Sequence, residues 1–135
     1  IDYAKSKNIN TSINTNAATL QFTSWIKEID VANAGLDIIC LSSKNEGTPV
    51  SLIEAQASYK PIVSTRIGGI NDVVIENKTG LLSEVGDLET YVSNLLKLID
   101  NDSFRISLSK NSQKQTNRFT YDRLINDIEN LYENN

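Results

Sequence analysis

Two carboxylates, Glu46 and Glu54, stand eight residues apart in the segment Glu46-Gly-Thr-Pro-Val-Ser-Leu-Ile-Glu54. An apolar run that reads as a strand, Asp37–Ser42, precedes them, and Pro49 fits a first helical position, where its missing amide hydrogen costs nothing. The intervening loop therefore lies at the carboxyl edge of a sheet, where open α/β sheets bind ligands. The helix N-terminus offers unpaired amide donors and about half a positive charge, which suits a phosphate. Gly47 leaves the backbone open to a close-lying ligand. Glu54 lies five residues into the helix, roughly 7.5 Å along its axis at about 1.5 Å per residue. It shares a face with Val50 and Ser51. A ligand with an anionic centre and hydroxyl groups on either side of it can meet Glu46 at one end and Glu54 at the other. Carboxylates suit that task because each accepts several hydrogen bonds from vicinal hydroxyls. Spacing alone leaves a plainer alternative open, with Glu46 a dipole-favouring acid and Glu54 a solvated helix position.

Other chemistries are narrowed by composition. The 135 residues contain no His and one Cys, which removes the usual zinc ligand sets and every His-based triad. Carboxylates, hydroxyls, backbone amides and helix dipoles remain, and no metal site is expected. Cys40, inside Asp37-Ile-Ile-Cys-Leu, reads as a small buried hydrophobe with no internal disulfide partner, and implies a reducing compartment. The net charge of −4, from 13 Lys+Arg against 17 Asp+Glu, forms no basic stripe, so nucleic acid is not an expected partner. No apolar stretch reaches the roughly 18 residues that span a bilayer, and no signal sequence opens the chain. The chain starts at Ile1 and has no Met, so it is expected to be part of a longer protein.

The elements that must hold the carboxylates alternate short β-branched runs with helical patterns, which implies a parallel sheet covered by helices. Strands are expected at Thr19–Thr23, Asp37–Ser42, Pro61–Thr65 and Gly80–Ser83, and helices at Ile26–Ala34, Pro49–Tyr59 and Ile70–Glu76. Three more helices are expected at Asp87–Asp100, Asp102–Asn117 and Thr120–Tyr132, with Asp87, Asn101 or Asp102, and Thr120 as N-caps. Leu88, Tyr91, Val92, Leu95, Leu96 and Ile99 recur at helical spacing and are expected to pack on the sheet. Asp2–Lys7 reads as a helix end and Asn8–Thr19 as an exposed loop. A complete nucleotide-binding α/β domain has six strands. Three or four are legible here, which makes the chain a partial Rossmann-like parallel sheet followed by C-terminal helices. Residues 1–19 form its entry, 20–83 the α/β part and 84–135 the helical part of a single domain.

From Leu20 to Leu82 the chain resembles the donor-binding domain of glycosyltransferase family 4. The matching pieces are Phe22-Thr-Ser-Trp-Ile, Gly35-Leu-Asp-Ile-Ile-Cys-Leu-Ser-Ser, Glu46–Glu54 with Ala55-Gln-Ala, Lys60-Pro-Ile-Val-Ser-Thr, Gly68-Gly-Ile-Asn-Asp-Val-Val and Asn77-Lys-Thr-Gly-Leu-Leu. Their order and spacing carry the likeness, and the tail Asp87–Tyr132 is also like the family's C-terminal end. The resemblance implies the second half of a GT-B C-terminal domain. It implies that Glu46 contacts the transferred sugar near the reacting carbon and that Glu54 holds the ribose hydroxyls. Thr48, Pro49, Val50 and Ser51 would line the diphosphate, and Ile26 would lie beside the base. Trp25 has local packing as an equal alternative, and Gly68-Gly69 reads as a turn into the next helix. Ser24 stands where relatives usually carry Gly, and the family's diphosphate-binding Arg and Lys have no counterpart in this chain.

The activity implied is retaining transfer of a sugar from a nucleotide diphosphate sugar, with a UDP-sugar the expected donor and no cofactor. The acceptor would be a glycan or lipid-linked glycan, met through an absent N-terminal domain, in bacterial surface or capsular polysaccharide biosynthesis. The implied location is the cytoplasm, with peripheral association at the inner face of the membrane. The chain by itself is expected not to catalyse. Two alternatives are a nucleotide-sugar 2-epimerase-like GT-B enzyme and a non-catalytic α/β module of receiver type. Against the second, Asp37 sits at the wrong end of its strand.

Overall fold

The structure, a computed structural model, describes residues 6–7, 11–13 and 20–134. Most of the expected N-terminal helix end and entry loop lies outside the described residues. The chain divides into two compact units, Ile1–Ala32 and Asn33–Asn135.

In the first unit β1 (Thr11–Ile13) pairs in parallel with β2 (Leu20–Phe22), Ser12 opposite Gln21. This corrects the expected Asn8–Thr19 loop. The polar composition concealed a short strand whose β-branched Thr11 and Ile13 favour extended backbone. α1 (Ile29–Ala34) starts three residues later than expected from the sequence.

The second unit runs β3 (Ile39–Leu41), α2 (Val50–Ala57), β4 (Ile62–Thr65), α3 (Ile70–Val73), β5 (Gly80–Ser83), α4 (Leu88–Asp100) and α5 (Asp102–Gln115). A 3-10 turn (Thr116–Phe119) leads into α6 (Tyr121–Glu133). The sheet has the order β3-β4-β5, all parallel, with Ile39 opposite Ile62 and Ile62 opposite Gly80. β4 is central and buried at every position, and its alternating side chains feed two cores. Ile62 joins Leu52, Ala55, Ile70, Val73, Val74 and Leu82 on the face covered by α2 and α3. Val63 joins Leu81, Leu98 and Leu108 on the face covered by α4 and α5.

Helix ends follow local chemistry. Asp87 accepts from the Thr90 amide (3.0 Å), Asn101 from the Phe104 amide (3.0 Å) and Thr120 from the Arg123 amide (3.4 Å), so each caps the helix that follows it. α2 ends two residues short of the expected Tyr59. Tyr59 takes the left-handed conformation (φ 60), and the Lys60 and Tyr59 amides return to the Ala55 and Gln56 carbonyls, closing the helix in a Schellman arrangement. α3 stops at Val73 because Val74 is extended (ψ 119), short of the expected Glu76.

Two packing expectations are corrected. On α4 the stripe Tyr91, Leu95 and Leu98 meets the sheet, whereas Leu88, Val92, Leu96 and Ile99 lie on a neighbouring stripe and are exposed. Cys40 is exposed rather than buried. Ile39 and Leu41 turn to the first core, Cys40 alternates away from it, and β3 is an edge strand among the described residues. No helix among the described residues is long and apolar enough to cross a membrane.

Candidate functional site

β3 ends at Leu41, and the next eight residues form a loop held mainly by its neighbours' hydroxyls. Ser64 Oγ donates to the Leu41 carbonyl (3.0 Å), and Thr65 Oγ1 donates to the Ser43 carbonyl (2.6 Å). Ser43 in turn donates its own hydroxyl to Glu46 Oε1 at 2.6 Å. The end of the central strand thus fixes the segment that orients the Glu46 carboxylate, which is half-buried. A donor bound to one carboxylate oxygen leaves the other free to meet a ligand hydroxyl or a developing positive charge.

The Gly68-Gly69 turn supports the same loop from its other side. The Gly69 amide donates to the Gly47 carbonyl (3.1 Å), and Gly68 is left-handed (φ +49). A Cβ on Gly68 would overlap the Glu46 carbonyl oxygen, and one on Gly69 the Gly47 carbonyl oxygen. The pair is therefore a turn into α3, as expected, and also the backbone floor beneath Glu46-Gly47. Gly47 itself has open space where a side chain would stand.

Pro49 is the N-cap of α2 (φ −77, ψ 96) and not its first helical residue, which is Val50. Its extended ψ excludes it from the helix, and it is buried. No side chain caps α2, and the Leu52 amide already returns to the Pro49 carbonyl (3.0 Å), so the Val50 and Ser51 amides are the ones open to an anionic ligand among the described residues. Thr48, Val50 and Ser51 are exposed around that terminus, and Glu54 is half-buried further along the helix. The Glu54 carboxylate makes no ion pair or hydrogen bond among the described residues. The structure thus brings Glu46, Gly47, Thr48, Pro49, Val50, Ser51 and Glu54 into one loop–helix unit.

Ile26 belongs to the other compact unit and is 38% exposed there, beside Trp25 at 87%. Ser24 has φ 56, a left-handed conformation that favours Gly. Arg66 pairs with Glu84 (3.0 Å) and Glu76, and the Glu76 hydrogen bond raises its guanidinium above its ordinary range. Lys44 makes no such pair among the described residues. No group of three or more His, Cys, Asp or Glu that could hold a metal ion occurs among the described residues.

Sequence reasoning missed Ser43 and Thr65. Ser43 carried a local signal, a hydroxyl three residues before the carboxylate, of the kind that side-chain turns use. Thr65 carried none, since it is 22 residues from its partner.

Residues 4–115 match the family described as glycosyl transferases group 1. The D-inositol 3-phosphate glycosyltransferase of Corynebacterium urealyticum is 31% identical over 96 residues, 71% of this chain and 23% of that protein. The capsular polysaccharide biosynthesis glycosyltransferase CapM of Staphylococcus aureus is 29% identical over 98 residues, 72% of this chain and 26% of that protein. Among solved structures, Anabaena Alr3699/HepE in complex with UDP superposes with a TM-score of 0.79 at 19% identity, over 86% of this chain and 32% of that one. The chain spans about a quarter of the length of the curated relatives it matches. The three-stranded parallel sheet and the helices that follow it match part of the fold of GT-B glycosyltransferase domains. On the family match and this fold together, the chain belongs to the group 1 glycosyltransferases.

Proposed function

We propose that this chain is the donor-binding part of a glycosyltransferase that moves a sugar from a nucleotide diphosphate sugar, UDP-linked, to a glycan or lipid-linked glycan with retention of configuration. The observation that carries the reading is the loop–helix unit. A carboxylate oriented by Ser43 stands before an uncapped helix N-terminus, and a second, unengaged carboxylate follows on the same helix.

Each group has a task. The open amides of α2, with Thr48, Pro49, Val50 and the Ser51 hydroxyl around them, receive the diphosphate and stabilise charge as it departs. Glu46 orients the sugar and stabilises positive charge at the anomeric carbon, and is not assigned as a covalent nucleophile. Glu54 accepts from the ribose hydroxyls, and Ile26 lies beside the base. Cations for the diphosphate and the acceptor surface come from the rest of the protein, so the chain alone does not catalyse. The UDP held by one structural neighbour and the capsular role of one relative support the donor class and a setting in surface polysaccharide assembly.

A thermal-shift screen of the complete enzyme against UDP-, GDP- and ADP-sugars tests the reading. A hundredfold excess over Kd stabilises by about 2.7 kcal/mol. Glu46→Ala and Glu54→Ala are expected to lower turnover or donor affinity at least tenfold. Wild-type behaviour in both variants would refute the assignment.

A further inference from the structure

The helix α3 (Ile70–Val73) is a single turn, too short to hold its own conformation, so bonds from other elements set its place. At its start the Gly69 amide donates to the Gly47 carbonyl (3.1 Å). At its end, carbonyls that a helix leaves without an internal partner are taken by side chains. Gln56 Nε2 donates to the Val73 carbonyl at 2.7 Å, and Arg118 Nη2 to the Asp72 carbonyl at 2.9 Å. The two bonds differ in weight. The Arg118 bond is exposed, and water replaces it when it breaks, whereas the Gln56 bond is buried, as is Val73. Loss of Gln56 leaves the Val73 carbonyl with neither water nor protein as a partner.

The packing of α2 does not call for an amide at this position. That helix buries Leu52, Ala55 and Gln56, and only the last is polar. Gln56 is fully buried, 17 residues from the carbonyl it serves, and its own Oε1 has no hydrogen-bond partner among the described residues. An amide buried with its oxygen unpaired costs free energy that methionine, of similar length, would not. What offsets that cost is the hold of Nε2 on the end of α3.

The donor loop and α2 therefore grip α3 at both ends, Gly47 at its start and Gln56 at its finish. Gly68, beside Gly69, packs so closely on Glu46 that a Cβ would overlap the Glu46 carbonyl oxygen. A displaced α3 thus moves the Glu46 backbone through main-chain contacts that cannot yield. The first turn of α2 and Glu54 belong to the helix that carries Gln56, and they keep their places when α3 shifts.

We propose that Gln56 is a positioning residue for glycosyl transfer. By holding the end of α3 it fixes the Gly68-Gly69 turn under Glu46, and so the carboxylate that meets the sugar rather than the groups that meet the nucleotide. The effect on the sugar rests on the donor reading above, whereas the coupling of Gln56 to the turn does not.

The test is Gln56→Met, which keeps the length of the side chain and removes the donor. Amide hydrogen exchange, followed by NMR on the ¹⁵N-labelled 135-residue chain, reads the coupling. Calorimetric titration of the complete enzyme with UDP, UDP-glucose, UDP-galactose and UDP-N-acetylglucosamine reads its consequence. In the variant the Gly69 and Val74 amides, which bond the Gly47 and Ile70 carbonyls, are expected to exchange roughly tenfold faster. The β4 amides should change little, and Tm should move by less than about 5 °C. Affinity for the UDP-sugar that the wild type binds is expected to fall roughly fivefold, with affinity for UDP unchanged. Arg118→Gln, which removes the exposed bond, should leave both readouts near wild type. A Gly69 amide that does not respond, or amides that accelerate together throughout the chain, would overturn the proposal, and so would equal weakening of UDP and UDP-sugar. A wild-type enzyme that binds no UDP-sugar refutes the donor reading instead, and Gly69 exchange then decides whether Gln56 holds the turn.

Discussion

Gly68 sits directly against the backbone of Glu46, so close that any Cβ at position 68 would overlap the Glu46 carbonyl oxygen. Because Gly68 is also left-handed (φ +49), alanine there meets two penalties, a strained backbone and an overpacked contact with unyielding main chain. Gly68→Ala is expected to lower stability by about 2–5 kcal/mol. Urea unfolding of the chain measures it, and the displaced Glu46 loop should lose UDP-sugar binding at the same time.

Gly47, one residue beyond Glu46, separates stability from ligand approach. A Cβ there meets nothing, and the backbone is not left-handed. Gly47→Ala should therefore leave unfolding within about 0.5 kcal/mol of wild type. If a diphosphate lies against this backbone, the same methyl should weaken UDP binding severalfold. Calorimetric titration beside urea unfolding tests both halves, and unchanged UDP affinity would remove the ligand from this stretch.

What the sequence disclosed divides along physical lines. Gly80–Ser83, a buried parallel strand, was legible to the residue, and Asp87, Asn101 and Thr120 marked helix starts because capping is a local, short-range chemistry. The order of strand, loop, Gly47 and α2 was legible for the same reason. Cys40 misled because an apolar run looks alike on an edge strand and a central one, and only pairing distinguishes them. Val92 and Leu96 misled because apolar periodicity on α4 continues over two stripes, of which the sheet takes one. The relation of Thr65 to Ser43, and of Gly68 to Glu46, spans 22 residues each and follows no spacing rule; it exists only once β4 lies beside β3.

Ser43 is the positioning residue that follows from that pairing. Its hydroxyl supplies the one hydrogen bond to the Glu46 carboxylate that the described residues contain. Ser43→Ala should release the carboxylate without touching α2, so affinity for a UDP-sugar is expected to fall roughly fivefold while affinity for UDP changes little. Ser43→Thr keeps a hydroxyl and should restore most of the loss. Equal weakening of UDP and UDP-sugar would instead mean that the loop as a whole had shifted.

The pH response of α4 is set at its first residue. The hydrogen bond from the Thr90 amide holds the Asp87 carboxyl below its ordinary value of 3.8, with a second backbone contribution from Glu89. A carboxyl depressed in the folded chain stabilises the fold above its unfolded pKa and loses that contribution as the pH falls through the folded value. Wild-type stability should therefore decline between about pH 4.5 and 3, in part through Asp87. Asp87→Asn retains a capping oxygen but cannot titrate, so it should start slightly less stable at pH 7, where the anion favours the helix dipole, and should show a shallower decline. Thermal unfolding of both proteins across that range gives the two slopes. Parallel slopes would show that the cap's charge contributes nothing, and that the oxygen alone holds the start of α4.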